Sequence, residues 1–390
     1  MIPVKSAPHR LRYPFGMTIA PPSANRIRLF LAGDVMLGRG IDQILPQPSD
    51  PVLYEGYMRS AKGYVDLAER HCGKIPAPVA ADYVWGDLLS DLADRGCDAR
   101  LLNLETAVTT ASHPAPKGIH YRMHPGNIAA LQALQPDACI LANNHVLDWG
   151  REGLLETLQT LSRAGLAQVG AGETIEQAEA PLVIPLPNGQ RLLLLAFGRW
   201  DSGVPDSWAA GPLMPGVAVM PDRAEDTAEV VRDRIDPVRR PGDILVVSLH
   251  WGGNWGYDIA PEDRALAHAL IDEAGADVVF GHSSHHPKAV ELHDGKLILY
   301  GCGDLINDYE GIGGHDGYRP ALALACIADL NPADGTLVAL SMIPYRIHAF
   351  RLQRAGDEDA RWLAGRMNRE CGRFDGAVTL APDGTLSLSS

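Results

Sequence analysis

Residues 27–39 read Ile27-Arg28-Leu29-Phe30-Leu31-Ala32-Gly33-Asp34-Val35-Met36-Leu37-Gly38-Arg39. The run 27–32 is apolar and of strand length, and it passes directly into Gly33-Asp34, so the pattern predicts a strand that ends on a carboxylate. The same design recurs down the chain. Strand-like runs at 99–102, 138–142, 244–249, 277–280 and 297–300 end respectively in Asn103-Leu104-Glu105, Asn143-Asn144-His145, His250-Trp251-Gly252, Gly281-His282 and the segment from Gly301 to Asp304. Open α/β sheets place their ligands beyond the carboxyl ends of the strands, so these clusters should converge in space.

Further strand-like runs stand at 192–197 and 321–327, and segments with helical spacing lie between the runs at 84–95, 127–134, 152–164, 224–235 and 261–273. The last opens with Pro261, Glu262 and Asp263, a favourable helix start. Strands alternating with helices predict an α/β layered fold. Asp334-Gly335 and Asp383-Gly384 suggest hairpin-like turns in the C-terminal region. Residues 1–25, with five prolines, read as an extended N-terminal arm, and 26–390 as one domain.

The chain has 390 residues, 46% hydrophobic and 21% charged, an ordinary globular balance. Its formal net charge of −14 and the lack of any basic block argue against nucleic acid as a partner. An acidic protein that takes an anionic substrate needs a local cation, which favours a metal site. The six cysteines, at 72, 97, 139, 302, 326 and 371, form no C-x-x-C pair, so reduced thiols in a cytoplasmic protein are expected. No stretch has signal-peptide or membrane-spanning character, so no membrane span is expected.

Carboxylate and amide oxygens suit hard divalent cations, and imidazole extends the choice to borderline ions; Mn, Zn, Fe and Ca all remain open. Asp34, Glu105, Asn144, His250, His282 and His285 supply that mixture. Glu105 is the candidate to bridge two ions, a pair able to activate water and polarise a scissile group.

Five ordered blocks carry a family resemblance: Gly33 to Arg39; Asn103-Leu104-Glu105-Thr106; Ala142-Asn143-Asn144-His145 with Asp148 and Gly150; His250-Trp251-Gly252; and Gly281-His282-Ser283-Ser284-His285. Over most of 26–345 the chain resembles the poly-γ-glutamate capsule synthesis (CapA-like) family of calcineurin-like metallophosphoesterases. That resemblance implies two packed mixed β-sheets flanked by helices, a four-layer sandwich with metal ligands on the loops after the strands. Carried over block by block, it implies Asp34, Glu105, Asn144, His250, His282 and His285 as metal ligands. It also implies His145 as the acid that approaches the substrate, with Asp148 orienting it. Arg39 is placed to meet an anionic substrate as a bidentate guanidinium.

The sequence departs from the broader superfamily in two places: Met36 stands where a His ligand is usual, and Glu105 where the bridge is usually Asp. Both point to altered metal occupancy, and metal-independent chemistry is the alternative. In Tyr300 to Tyr309 the family commonly has Ser and Asn where Cys302 and Asp304 stand. That pair is either an acid–base couple for removing a proton from carbon or a small buried thiol at a turn. Trp251 and Trp255 are candidates to line a groove for a chain-like substrate, with loop packing as the alternative. Three functions follow: a metal-dependent hydrolase of a peptide-like, poly-γ-glutamate-like or phosphoester substrate; a peptide epimerase of a ribosomal peptide pathway; and a non-catalytic binder of an anionic polymer.

Overall fold

Asp34 is the last but one residue of the strand Ile27–Val35, and that strand lies at the centre of a ten-stranded sheet. The structure is a computed structural model that describes residues 26–221 and 223–389; the expected arm, 1–25, lies outside them. Ile27–Val35 pairs in parallel with Ala99–Leu104 and antiparallel with Leu322–Leu330. Ala99–Leu104 continues the sheet in parallel to Ala138–Ile140, which is followed by Gln168–Val169. A second sheet of six strands has the spatial order Val290–His293, Lys296–Leu299, Val278–His282, Ile244–His250, Arg191–Gly198, Leu182–Pro185. Its four central strands run parallel, so their carboxyl ends share one edge.

Period-two alternation sorts these strands into layers. Leu29, Leu31, Leu101 and Ile140 of the larger sheet pack against Leu194, Ala196, Val246, Val278 and Phe280 of the smaller one, forming a core between the sheets. Phe30, Ala32 and Leu102 face the other way and meet Ile41, Leu88, Leu92, Leu131, Leu154 and Leu161 of the helices Arg39–Ile44, Leu88–Arg95, Ile128–Leu134 and Gly150–Arg163. Leu193, Leu195, Leu245 and Val247 meet Val231, Ile235, Leu266 and Leu270 of the helices Ala224–Ile235 and Pro261–Asp272. The result is the expected four-layer sandwich, two mixed sheets packed face to face and flanked by helices.

The expected strands and both hairpin turns are present: 334–335 joins Leu322–Leu330 to Leu337–His348, and 383–384 joins Ala377–Leu380 to Leu386–Ser389. The expected helix at 84–95 is divided: a short turn, Tyr83–Trp85, stops at Gly86, whose φ of 45° breaks the helix before Leu88. Of the helices outside the expected segments, the two longest are Lys62–Cys72 and Asp357–Cys371. Lys62–Cys72 buries only Tyr64 and Ala68, so its apolar stripe is faint. Asp357–Cys371 buries Leu363, Ala364, Met367 and Cys371 against the inter-sheet core, a helical spacing masked by charged neighbours. Among the described residues no helix is long and apolar enough to cross a membrane, and all six cysteines are unpaired.

Candidate metal centre

The site begins with a bulge. The pairing of Ile27–Val35 with Ala99–Leu104 slips between Ala32 and Asp34, leaving Gly33 out of register. A Cβ on Gly33 would lie 1.8 Å from the Gly303 carbonyl oxygen, so only glycine allows the two backbones to approach. Across that contact Asp34 N donates to Gly303 O at 3.0 Å and Asp34 stands opposite Asp304. Asp34, Asp304 and His285 each offer a ligand atom within 4.8 Å of the others. His285 Nδ1 lies 2.9 Å from Asp304 Oδ1, and Asn307 Nδ2 donates to Asp304 Oδ2 at 2.8 Å.

The other side chains close on this group from both sheets. Asn103 Nδ2 donates to Asp34 Oδ1 at 2.7 Å, and Ser283 N donates to Asp34 Oδ2 at 3.1 Å. His282, at the end of Val278–His282, has Nε2 2.8 Å from the Ser248 hydroxyl and Nδ1 3.7 Å from Asp34 Oδ1. His250, at the end of Ile244–His250, has Nε2 3.7 Å from Glu105 Oε1, and His145 Nε2 lies 3.8 Å from the same oxygen. Asn143 shapes the turn that carries Asn144 and His145: its Oδ1 accepts from His145 N and Val146 N, while its Nδ2 donates to Leu104 O at 2.9 Å.

Four buried polar atoms here have no hydrogen-bond partner: Glu105 Oε2, Asn144 Oδ1, His250 Nε2 and His282 Nδ1. An unpaired buried polar atom is costly, and these four, two oxygens and two imidazole nitrogens, are of the atom types that ligate a divalent cation. The electrostatics agree. Burial and the Asp304 carboxylate push the Asp34 carboxyl well above its ordinary range, and burial with Asp34 does the same to Glu105. Burial drives His282 down to about 3, and burial with His282 holds His250 well below its ordinary value. Crowded carboxylates beside neutral imidazoles match what a divalent ion requires of its ligands. The residues present therefore fit such an ion.

His145 is held separately. Its Nδ1 lies 2.6 Å from Asp148 Oδ2, whose other oxygen accepts from Lys117 Nζ at 2.7 Å. Tyr121 N also donates to Asp148 Oδ2 at 2.6 Å. Burial works against the Asp148 charge, yet His145 and Lys117 keep its carboxyl below the ordinary range, while burial pushes His145 down to about 4. Tyr121 stands edge-on to His145 with ring centres 4.7 Å apart.

Three expectations are corrected. Arg39 does not face a substrate: it is 3% exposed, bonded to Asp308, Glu55 and Tyr64, and stacked on the Tyr64 ring at 3.9 Å. The chain folds Asp308 back against it, so its charge is already neutralised. Trp251 does not line a groove: its indole donates to Tyr300 O at 3.0 Å, lies parallel to the Tyr300 ring and packs into the outer core. Cys302 does not pair with Asp304: it lies in the core between the sheets beside Cys326, where burial pushes its thiol far above the ordinary value, whereas Asp304 turns to His285 and Asn307. Trp255 does border the site, its ring centre 5.3 Å from that of His285 and stacked at 3.9 Å on His315.

Sequence reasoning missed Asn103, Lys117, Tyr121 and Tyr309. Asn103 stood in a quoted block ahead of Glu105 and was legible as a second polar strand-end residue. Tyr309, whose hydroxyl is 3.5 Å from His285 Nε2 and 3.8 Å from Met36 Sδ, closed the quoted segment after Asp304. Lys117, in a loop of scattered polar residues, had no local signal.

The family model described as bacterial capsule synthesis protein PGA_cap matches residues 28–309, which contain all of these residues. A probable polyglutamine synthesis accessory protein of Mycobacterium tuberculosis is 48% identical over 364 residues, covering 93% of this chain and 96% of that protein. The PGA biosynthesis protein CapA of Bacillus subtilis is 27% identical over 71% of this chain and 62% of its own length. Among solved structures, a phosphatase from Mycoplasma pneumoniae covers 87% of this chain and 96% of that chain at 12% identity, with a TM-score of 0.43, too distant a likeness to carry an argument. By the extent of the family match and of the mycobacterial similarity, the chain belongs to the bacterial capsule synthesis protein PGA_cap family.

Proposed function

We propose that this chain is a divalent-metal-dependent hydrolase that cuts an amide in a glutamate-rich, anionic polymer or peptide. The observation that carries the proposal is the set of four partnerless buried donors, Glu105 Oε2, Asn144 Oδ1, His250 Nε2 and His282 Nδ1, beside the Asp34–His285–Asp304 group. Asp34, Glu105, Asn144, His250, His282 and His285 would hold the metal, with Asp304 added to the set. A bound divalent ion polarises a carbonyl or phosphoryl oxygen and makes water nucleophilic near neutral pH.

The rest of the chemistry belongs to the chain. Asp148, ionised and held by Lys117 and Tyr121 N, fixes His145 through Nδ1 and leaves Nε2 directed towards Glu105. With the imidazole neutral and its proton on Nδ1, Nε2 can take a proton from the attacking water and pass it to the departing amine. Tyr121, packed edge-on, limits rotation of the imidazole. Trp255 offers a flat apolar wall at the rim for the carbon skeleton of a chain-like substrate. The family is one of capsule synthesis and the mycobacterial relative is named for polyglutamine synthesis, which favours an amide-linked polymer over a phosphoester as substrate.

The test is elemental analysis of the purified full chain together with hydrolysis of γ-linked oligoglutamate and of a phosphoester, before and after chelation. Bound transition metal with chelation-sensitive release of glutamyl fragments is the expected result. A protein that takes up no metal, or whose turnover is untouched by chelation, ends the proposal.

A further inference from the structure

A chain of net charge −14 repels a polyanion, so cations near the site must hold one. Arg39 is neutralised by Asp308 and Glu55, Lys117 by Asp148, and Arg199 by Asp201 and Asp263. Lys288 is different. It is only 8% exposed, yet its ammonium makes no hydrogen bond and no ion pair within 4 Å among the described residues. Burial lowers its pKa, opposed by Asp263 and Asp201, whose carboxylates are already engaged by Arg199.

The side chain runs from the end of the loop after His285 towards the turn that follows His250. Its backbone N donates to Gly301 O at 2.9 Å and its stem packs along Gly301, so the ammonium reaches Gly252. A Cβ placed on Gly252 would have Lys288 Nζ at 3.7 Å as its sole neighbour within 4 Å, and one on Gly253 would meet nothing. Gly252, with φ of 72°, lies two residues beyond His250. Gly252 O accepts from Ser283 Oγ at 3.0 Å, and Ser283 N donates to Asp34 at 3.1 Å, which ties the turn after His250 to the loop that holds Asp34.

We infer that Lys288 is a specificity residue: its ammonium pairs with a backbone-proximal carboxylate of the substrate, the α-carboxylate of a γ-linked glutamyl unit next to the bond that is cut. This rests on the hydrolase proposed above and names the feature of the polymer that the site reads. A buried, uncommitted ammonium pays for its desolvation only when an anion arrives, and a charge-assisted hydrogen bond to a carboxylate is worth more than a neutral one.

The test compares two probes by calorimetry, a γ-linked glutamate tetramer and the same tetramer with its α-carboxylates converted to carboxamides, with the full chain both metal-loaded and chelated. The chelated wild type is expected to bind the acid form about tenfold more tightly than the amide form. Lys288→Met should remove that preference, Lys288→Arg should keep most of it, and the control Lys74→Met, at a site exposed to solvent, should leave it intact. In turnover the loss should appear in KM for the acid form and not in kcat. Equal binding of the two tetramers by wild type, binding of neither, or a preference that survives in Lys288→Met overturns the inference, and the wild-type comparison decides even if Lys288→Met does not fold. Cleavage without the preference removes the subsite alone; the preference in a metal-loaded protein that cuts nothing removes the hydrolase alone.

Discussion

His145 Nδ1 and Asp148 Oδ2 stand 2.6 Å apart, three residues apart in sequence and both buried, with Lys117 Nζ on the far oxygen of the carboxylate. The pair fixes which nitrogen of His145 is engaged and which is left to face Glu105.

Asp148→Asn should therefore reduce kcat on γ-linked oligoglutamate about a hundredfold while leaving metal content unchanged. The amide retains an oxygen for Tyr121 N but loses the charge that holds His145 and Lys117. Steady-state kinetics with elemental analysis on the same sample checks both halves, and full activity in the variant would remove His145 from proton delivery.

Asp34→Ala, Asn144→Ala and His250→Ala should each leave a folded chain with less bound metal and less turnover, because these side chains face the centre and not the apolar core. Divalent metal should raise the Tm of the wild type, by the equivalent of about 2.7 kcal/mol when free metal is a hundred times its Kd, and raise it less in the variants. Scanning calorimetry with and without chelator makes the measurement. Loss of folding in all three variants would mean that these residues build the fold.

Arg39→Ala should cost about 3–5 kcal/mol of stability, because it leaves Asp308 and Glu55 buried without their cation. Arg39→Lys should also destabilise, since an ammonium cannot reproduce the forked contact with Asp308. Urea unfolding monitors both. A variant as stable as wild type but with a raised KM would return Arg39 to the substrate.

Cys302→Ala should keep turnover within about twofold of wild type and cost about 1–2 kcal/mol, the result of deleting a small buried atom between the sheets. Hydrogen–deuterium exchange at a peptide Cα that depended on Cys302 would contradict its placement away from Asp304.

Much of this molecule was legible in local pattern. Runs such as 27–32 and 244–249 end in polar residues because a strand buried on both faces must be apolar until it leaves the sheet. That single regularity marked Asp34, Glu105, Asn144, His250 and His282, and parallel pairing then made their convergence unavoidable. His145 and Asp148 were legible for a related reason, since a turn of three residues keeps them in contact.

The residues that were misplaced are those whose partners lie far along the chain. Arg39 follows Gly38 in a block that suits anion binding, but its guanidinium is taken by Asp308, 269 residues away. Cys302 and Asp304 are two apart, and the close approach of Gly303 to Gly33 directs one into the core and the other to His285. Trp251 adjoins a ligand yet finds its hydrogen bond at Tyr300. Sequence by itself determined which residues stand at the strand ends, because burial imposes a pattern that each segment must satisfy alone. Which of those polar groups remain uncommitted was decided only by tertiary structure, because a charge or a hydrogen bond is satisfied by whatever the fold brings within about 3 Å, from any distance in sequence.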